Sequence, residues 1–267
     1  MPEVMMNRLS WVDYRKRVQD DRAVVLLPVG ATEQHGPHLP LGTDHLLATA
    51  VSRDVAAQVS GLVAPALAYG FKSQPKCGGG QEFCGTTSLD AATLIGSVRD
   101  AVREFYRHGA RQLVVVNGHY ENQWFLIEGI DLAMRELGPG AGMTIMRMEY
   151  WDFLTPQTLA RVFPEGFPGF ALEHAAVLET SMMLHHHPEL VWMDLIPNDG
   201  PATFRRTTSI RRAPSGFRLP ACSPQRAPPR ATKARRCARK SPNASPPPFG
   251  MSSGNHTFRR PSFLQAK

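Results

Sequence analysis

Glu33-x-His35 and His119-x-Glu121 are the residues on which chemistry can be built in this chain. Each pair sets an oxygen and a nitrogen donor two positions apart. Each follows an apolar run that reads as a buried strand, "AVVLLPVG" (23–30) and "RQLVVVNG" (111–118). In an extended segment, side chains two apart point to the same side, so each pair can present both donors to one point. Asp44 lies further along the first loop, where its carboxylate could bridge two ions. A nitrogen and oxygen set without sulfur suits zinc or manganese, and two such ions about 3.5 to 4 Å apart can share a hydroxide nucleophile. Polar residues gather in loops in any protein. The weight rests on two such pairs at matching strand ends, joined by Asp44.

The elements that must position these residues alternate between apolar runs and helical patterns, the layout of an α/β fold with a mainly parallel sheet and helices on its faces. Strands are expected at 23–30, 62–70, 111–118 and 143–151. Helices are expected at 45–60, at 88–109 with Ser88 as its cap and Gly109 as its stop, at 122–137, and at 171–190, ended by Pro188. Loops at the carboxyl ends of parallel strands are where such sheets bind ligands, so the two donor pairs should face each other across one crevice.

Charge divides the 267 residues in two. Asp199 is the last acidic residue, so residues 1–199 carry 15 basic against 23 acidic groups, a balance of −8, and the remainder carries +15 of the formal net +7. The four cysteines, Cys77, Cys84, Cys222 and Cys237, show no C-x-x-C pairing, which argues against a disulfide scaffold or a thiolate zinc site and fits a cytoplasmic setting. The N-terminus has no apolar signal region, and no stretch approaches the roughly 20 apolar residues that would span a bilayer. A soluble body without membrane contact is expected.

Five segments, in order and at compatible spacing, then carry a resemblance: "LPVGATEQHGPHLPLGTD", "YGFKSQPKCGGGQEFCGTTSLD", "NGHYENQWFLIEGIDLAMREL", "YWDFLTPQ" and "EHAAVLETSMML". Together they resemble the creatininase (creatinine amidohydrolase) family from about Leu9 to Phe204. Many relatives in the wider family read NGHGGN where this chain reads "NGHYEN", so Tyr120 and Glu121 point to the creatininase branch. The resemblance implies a three-layer α/β/α subunit, a binuclear zinc or manganese site, a homohexamer, and hydrolysis of the cyclic amide of creatinine to creatine. It also implies that Glu33, His35, Asp44, His119 and Glu121 are the metal ligands, with Asp44 as the bridge, the same five that the strand ends suggest.

By the same resemblance, Glu173 is a substrate-contacting glutamate and His174 the proton-transfer histidine, both expected at the start of a helix. Tyr120, Trp151, Phe170 and Cys77 fall at substrate-contacting positions. Three departures bear on substrate. Where the family has Trp-Asp before its "IEH" segment, this chain has Phe170-Ala171 before "LEH", and the serine of the family's "KSGGG" loop is Cys77. A cyclic or otherwise small amide is therefore expected as substrate, creatinine first, with other small amides or formamides as the alternative.

Other features read as bland. Gly78 to Gly80 lack the Gly-Lys-Ser/Thr of a phosphate loop and suggest a flap at the site mouth. His185 to His187 end a helix beside Pro188, and His38 and His45 flank the metal loop without joining the ligand list. From Arg205 onward there is no acid and no apolar periodicity, and Arg, Pro, Ser and Ala dominate, which predicts a disordered basic tail over 205–267. Its abrupt onset and its likeness to a GC-rich gene read out of frame suggest a frameshift after Phe204. Clustered arginine binds phosphate backbones without specificity. The rival from outside the enzyme class is an inactive body with a nucleic-acid-binding basic tail, but the tail has little aromatic interleaving and no recognisable nucleic-acid module, so nucleic acid is not the expected partner.

Overall fold

The computed structural model describes residues 3–75 and 78–197. Cys77 and the tail from Arg205 lie outside the described residues. Four strands, β1 (Val25–Val29), β2 (Leu62–Val63), β3 (Gln112–Asn117) and β4 (Thr144–Glu149), form one all-parallel sheet in the order β2-β1-β3-β4. The register runs Val29 beside Asn117 and Asn117 beside Glu149, so β1, β3 and β4 end level with one another.

Period-two alternation in β1 divides the core. Val25, Leu27 and Val29 face helices α3 (Ala91–Arg107) and α4 (Gln123–Leu137), through Leu94, Val98, Val102, Leu126 and Ala133. Leu26 faces the other way, toward α2 (Thr43–Val59) and α6 (Val177–His186), through Leu47, Ala48, Ala56, Leu178 and Met183. Two shorter helices, α1 (Trp11–Arg15) and α5 (Pro156–Val162), complete the set. Helices on both faces of the sheet make the three-layer α/β/α arrangement that the sequence implies.

Three expected boundaries differ. The strand placed at 62–70 pairs as a strand only at Leu62–Val63, with one further bridge from Leu67 to Val29. Pro65, within that run, has no N–H to donate to a ladder. The helix placed at 88–109 begins at Ala91, with Asp90 and not Ser88 in the cap position. The helix placed at 171–190 is broken. A short 3-10 turn spans Phe170–Leu172, α6 begins only at Val177, and between them Ala175 takes φ 52°, a left-handed conformation that no α-helix interior allows. Glu173 and His174 therefore stand in a loop ahead of α6, not at the start of a helix.

Candidate metal centre

Two glycines decide where the first turn of α2 can lie. A Cβ on Gly30, just past β1, would stand 2.3 Å from the backbone nitrogen of His45, and one on Gly118, just past β3, would stand 2.4 Å from the carbonyl oxygen of Asp44. With no side chain at either position, α2 drops its first turn against both strand ends. Asp44 is thereby buried between the loops that carry the two donor pairs.

Glu33, His35, Asp44 and His119 are all buried, and their donor atoms converge. Asp44 divides its carboxylate. Oδ1 lies 2.9 Å from His35 Nε2, and Oδ2 lies 3.1 Å from His119 Nδ1. Glu33 Oε1 lies 2.9 Å from the same Nδ1. One ligand group therefore gathers Glu33, Asp44 and His119, and a second gathers His35 and Asp44 with Glu179. A third brings His174 to Glu33 and His35. Glu121 lies beyond the other nitrogen of His119, its Oε2 3.5 Å from Nε2, and lines the same cleft.

The imidazoles are turned for ligation. His35 Nδ1 lies 3.1 Å from the carbonyl oxygen of Glu33, and His119 Nε2 lies 3.0 Å from that of Phe71. A carbonyl only accepts, so those nitrogens carry the protons, and His35 Nε2 and His119 Nδ1 present lone pairs to the centre. Such a hydrogen bond on the far nitrogen is the usual support of a metal-ligating histidine.

Several of the convergent atoms are close without being hydrogen-bonded. Among the described residues, Glu33 Oε2, His35 Nε2 and Asp44 Oδ2 are buried side-chain atoms with no hydrogen-bond partner. Leaving a buried polar atom unpaired costs about 1 to 3 kcal/mol. Three together, on carboxylates and imidazoles aimed at a common space, are accounted for by cations. The cleft, about 480 Å³ counting its open mouth, is also lined by Glu121, Glu173 and Glu179, with no Lys or Arg among its described lining residues. The donor set fits divalent ions.

Proton affinities follow the same charges. Burial works against a charged His119, but the nearness of Asp44 and Glu33 outweighs it and raises its pKa well above the ordinary imidazole value. His35 is raised in the same way by Asp44 and Glu179 against the cost of burial. Burial pushes the Glu173 carboxyl up, helped by Glu179 and opposed by the Leu178 N–H that it accepts at 2.9 Å.

The remaining expected residues sit around the mouth. His174 Nε2 lies 2.8 Å from the carbonyl oxygen of Gln34 and 3.0 Å from that residue's side-chain nitrogen; the shorter contact, to an atom that only accepts, places the proton on Nε2 and leaves Nδ1, 3.7 Å from Glu33 Oε1, as the nitrogen that faces the centre. Trp151 and Phe170 stack at 6.1 Å between centroids, 26° from parallel, and form one aromatic wall. Tyr120 lines the cleft from a partly exposed position, and Ala171 lines it beside Phe170. Gly79 closes over Glu33, where a Cβ would meet Ser73 Oγ at 1.9 Å. His38 bonds to Thr180 instead of joining the donors.

Sequence reasoning missed a buried amide pair and one acid. Asn117 Nδ2 donates to the carbonyl of His119 at 2.7 Å, and its Oδ1 accepts from the His119 N–H at 3.2 Å. Asn122 donates to Asn117 Oδ1 and to the carbonyl of Gly30, and accepts the N–H of Phe71. The pair thus ties the β1, Phe71 and β3 loops together. Its signal was available in "NGHYEN", where two asparagines bracket the donors. The acid is Glu179, a charge on the inward stripe of α6 beside Leu178 and Met183. A buried acid in such a stripe is uncommon without a partner.

The family model for creatininase (creatinine amidohydrolase) matches residues 7–240. That match runs past the boundary at 204 expected from the motifs. The creatinine amidohydrolase of Pseudomonas putida is 50% identical over 204 residues, covering 75% of this chain and 78% of the relative. A manganese form of creatininase superposes with a TM-score of 0.74 at 49% identity, covering 78% of this chain and 82% of that one, and a Glu-to-Gln creatininase of Zn-Zn type does so with 0.75 at 48% over the same shares. The mycofactocin precursor peptide peptidase of Mycobacterium ulcerans is 36% identical over 185 residues, 64% of this chain and 61% of the relative. The chain belongs to the creatininase family.

Proposed function

We propose that this protein is a metal-dependent amidohydrolase that opens a cyclic amide, with creatinine as the first candidate substrate, using two zinc or manganese ions. Glu33, His35, Asp44, His119 and Glu121 would hold the ions. The observation that carries the reading is the division of Asp44 between His35 and His119, one carboxylate oxygen to each imidazole, which is the disposition of a bridging ligand. Divalent ions held there would supply a water-derived nucleophile near neutral pH and draw electron density from the amide carbonyl.

The chain's own residues supply the rest. Trp151 and Phe170 provide a flat apolar wall against which a planar ring can lie. Glu173, buried and with its pKa raised, can hold an N–H of the substrate. His174, fixed through Nε2 on the Gln34 carbonyl, accepts a proton at Nδ1 from the attacking water and returns it to the departing ring nitrogen, which otherwise leaves poorly. The apolar rings of Trp151 and Phe170 and the small Ala171 also suit a neutral lactam or formamide, the second reading. A homohexamer and a cytoplasmic setting accompany the proposal by family likeness, and no helix among the described residues is long and apolar enough to cross a membrane.

The test is a metal-reconstituted assay of the full chain against creatinine and a panel of cyclic amides and formamides. Turnover of at least one, dependent on Zn(II) or Mn(II) and abolished by Glu121→Gln, is expected. Full activity after chelation would sink the proposal.

A further inference from the structure

Gln34 stands between Glu33 and His35, half-buried, and each of its four hydrogen-bonding groups goes to a different residue. Its backbone N–H donates to Thr86 Oγ1 at 3.1 Å, and its carbonyl oxygen lies 2.8 Å from His174 Nε2. Oε1 accepts the N–H of Gly36 at 2.8 Å, and Nε2 donates to the carbonyl oxygen of Gly78 at 2.9 Å. Turning the amide over would set donor against donor at Gly36 and acceptor against acceptor at Gly78, so its orientation is fixed. Gln34 is not among the described residues that line the cleft, so it serves the substrate only through others.

What it reaches is the glycine-rich flap over the centre. Gly78 takes φ 93° and Gly80 φ 143°, conformations that favour glycine, and the Gly80 N–H donates to the buried Ser73 Oγ at 3.0 Å. A Cβ on Gly78 would stand 3.6 Å from Cδ2 of His174, so at that point the flap runs along the imidazole. The His174 ring is thus bounded on three sides. Gln34 meets the Nε2 edge with its carbonyl oxygen and, at 3.0 Å, with its amide nitrogen. Gly78 lies along the Cδ2 edge, and His35 covers one face at 4.5 Å between centroids. Two of these boundaries involve the Gln34 side chain, one by contact and one through its bond to Gly78.

We propose that the Gln34 side chain is a positioning residue that latches the flap at Gly78 and thereby keeps His174 turned with Nδ1 toward the centre. The role presupposes the amidohydrolase reading, in which that nitrogen moves the proton. The alternative is a brace for its own loop through Gly36, which would serve the ligands Glu33 and His35 instead of His174.

Gln34→Met, neutral and of similar length, is compared with the parent as full chains loaded with Mn(II). Ion stoichiometry and affinity, hydrogen exchange of the peptide over 78–86, and kcat and KM for creatinine or the cyclic amide that the parent prefers are measured. Exchange over 78–86 should rise. We expect kcat to fall at least about tenfold, within the range by which a small displacement of a reacting group is felt, with KM and ion affinity kept within about twofold. Unchanged exchange or unchanged kcat would overturn the latch. Weakened Mn(II) binding would overturn it in favour of the brace. A parent that binds its ions yet turns over no amide would sink the amidohydrolase reading and the role of His174 with it, while exchange over 78–86 would still show whether Gln34 holds the flap. Should Gln34→Met not fold, Gln34→Glu, which keeps the acceptor for the Gly36 N–H but sets an oxygen against the Gly78 carbonyl, reads the same latch: faster exchange with lower kcat supports it, and parent values overturn it.

Discussion

His119 Nε2 lies 3.0 Å from the carbonyl oxygen of Phe71, and the N–H of that same Phe71 is held at 2.8 Å by the side chain of Asn122. The imidazole is thus oriented through a backbone peptide that a buried amide fixes in place. Asn122 serves as donor to two oxygens and acceptor from one N–H, a combination no other side chain of its size provides. Asn122→Asp removes both donors and buries a charge, and should cost about 2 to 3 kcal/mol in urea unfolding. Mn(II) affinity should fall with it, at temperatures where the variant is still folded. Unchanged affinity would show that His119 needs no such support.

That relay also shows what could be read from sequence. The convergence of Glu33, His35, His119 and Asp44 was legible, because the elements these residues follow, β1 and β3, fall within two residues of expectation. Glu121, by contrast, stands in a 3-10 turn, Tyr120–Asn122, and lies off the far nitrogen of His119 instead of pointing with it as an extended segment would require. The break ahead of α6 was not legible. "ALEHAAVLETSMML" has uninterrupted helical spacing and no Gly or Pro, and the contacts that meet it outside the helix are tertiary or long-reaching: the carboxylates of Glu173 and Glu179 take the N–H groups of Leu178 and Ala175, and His174 rests on the Gln34 carbonyl. Local pattern yields there to a tertiary demand at the site, where such conflicts are expected.

Gly118→Ala tests the packing that seats Asp44. The added Cβ would fall 2.4 Å from the Asp44 carbonyl oxygen and 3.2 Å from the Ala48 side chain, so the first turn of α2 must back away. Overpacking of this kind typically costs about 1 to 3 kcal/mol. Bound metal, measured by elemental analysis after dialysis, should drop with stability, whereas Gly96→Ala, with nothing within 4 Å of its added Cβ, should leave both unchanged or gain slightly through helix propensity.

The stabilisation conferred by Mn(II) should grow as pH rises from about 6 to 8. In the metal-free chain, His35 and His119 have pKa values raised well above the ordinary value. Their charged pairing therefore contributes stability that is fully present below an unfolded pKa of about 6.5 and is lost as pH climbs through the raised folded values. The loaded chain gains over the same range, because a ligating imidazole must shed the proton that competes with the ion. Thermal midpoints with and without Mn(II) should diverge with pH, and a constant difference would mean that these two histidines do not ligate.

Substrate choice should turn on Ala171. The cleft offers Trp151 and Phe170 as an apolar wall and Glu173 as a buried carboxylate, but at Ala171 it offers only a methyl group. A ligand rich in N–H donors, such as the amino-imidazolone ring of creatinine, gives up water at that edge and finds no acceptor. A neutral lactam presents fewer donors and loses less. Sites built to pair a donor discriminate far more strongly than apolar pockets do, because an unpaired buried polar group is costly. Ala171→Asp should therefore raise kcat/KM for creatinine relative to an unsubstituted lactam by about tenfold, equivalent to one hydrogen bond to a charged group of about 1.4 kcal/mol. Most of the gain should lie in KM, since the new contact forms in the ground state as well as in the transition state. A ratio that stays flat, with the variant still loaded with metal, would place the determinant of substrate choice elsewhere in the cleft.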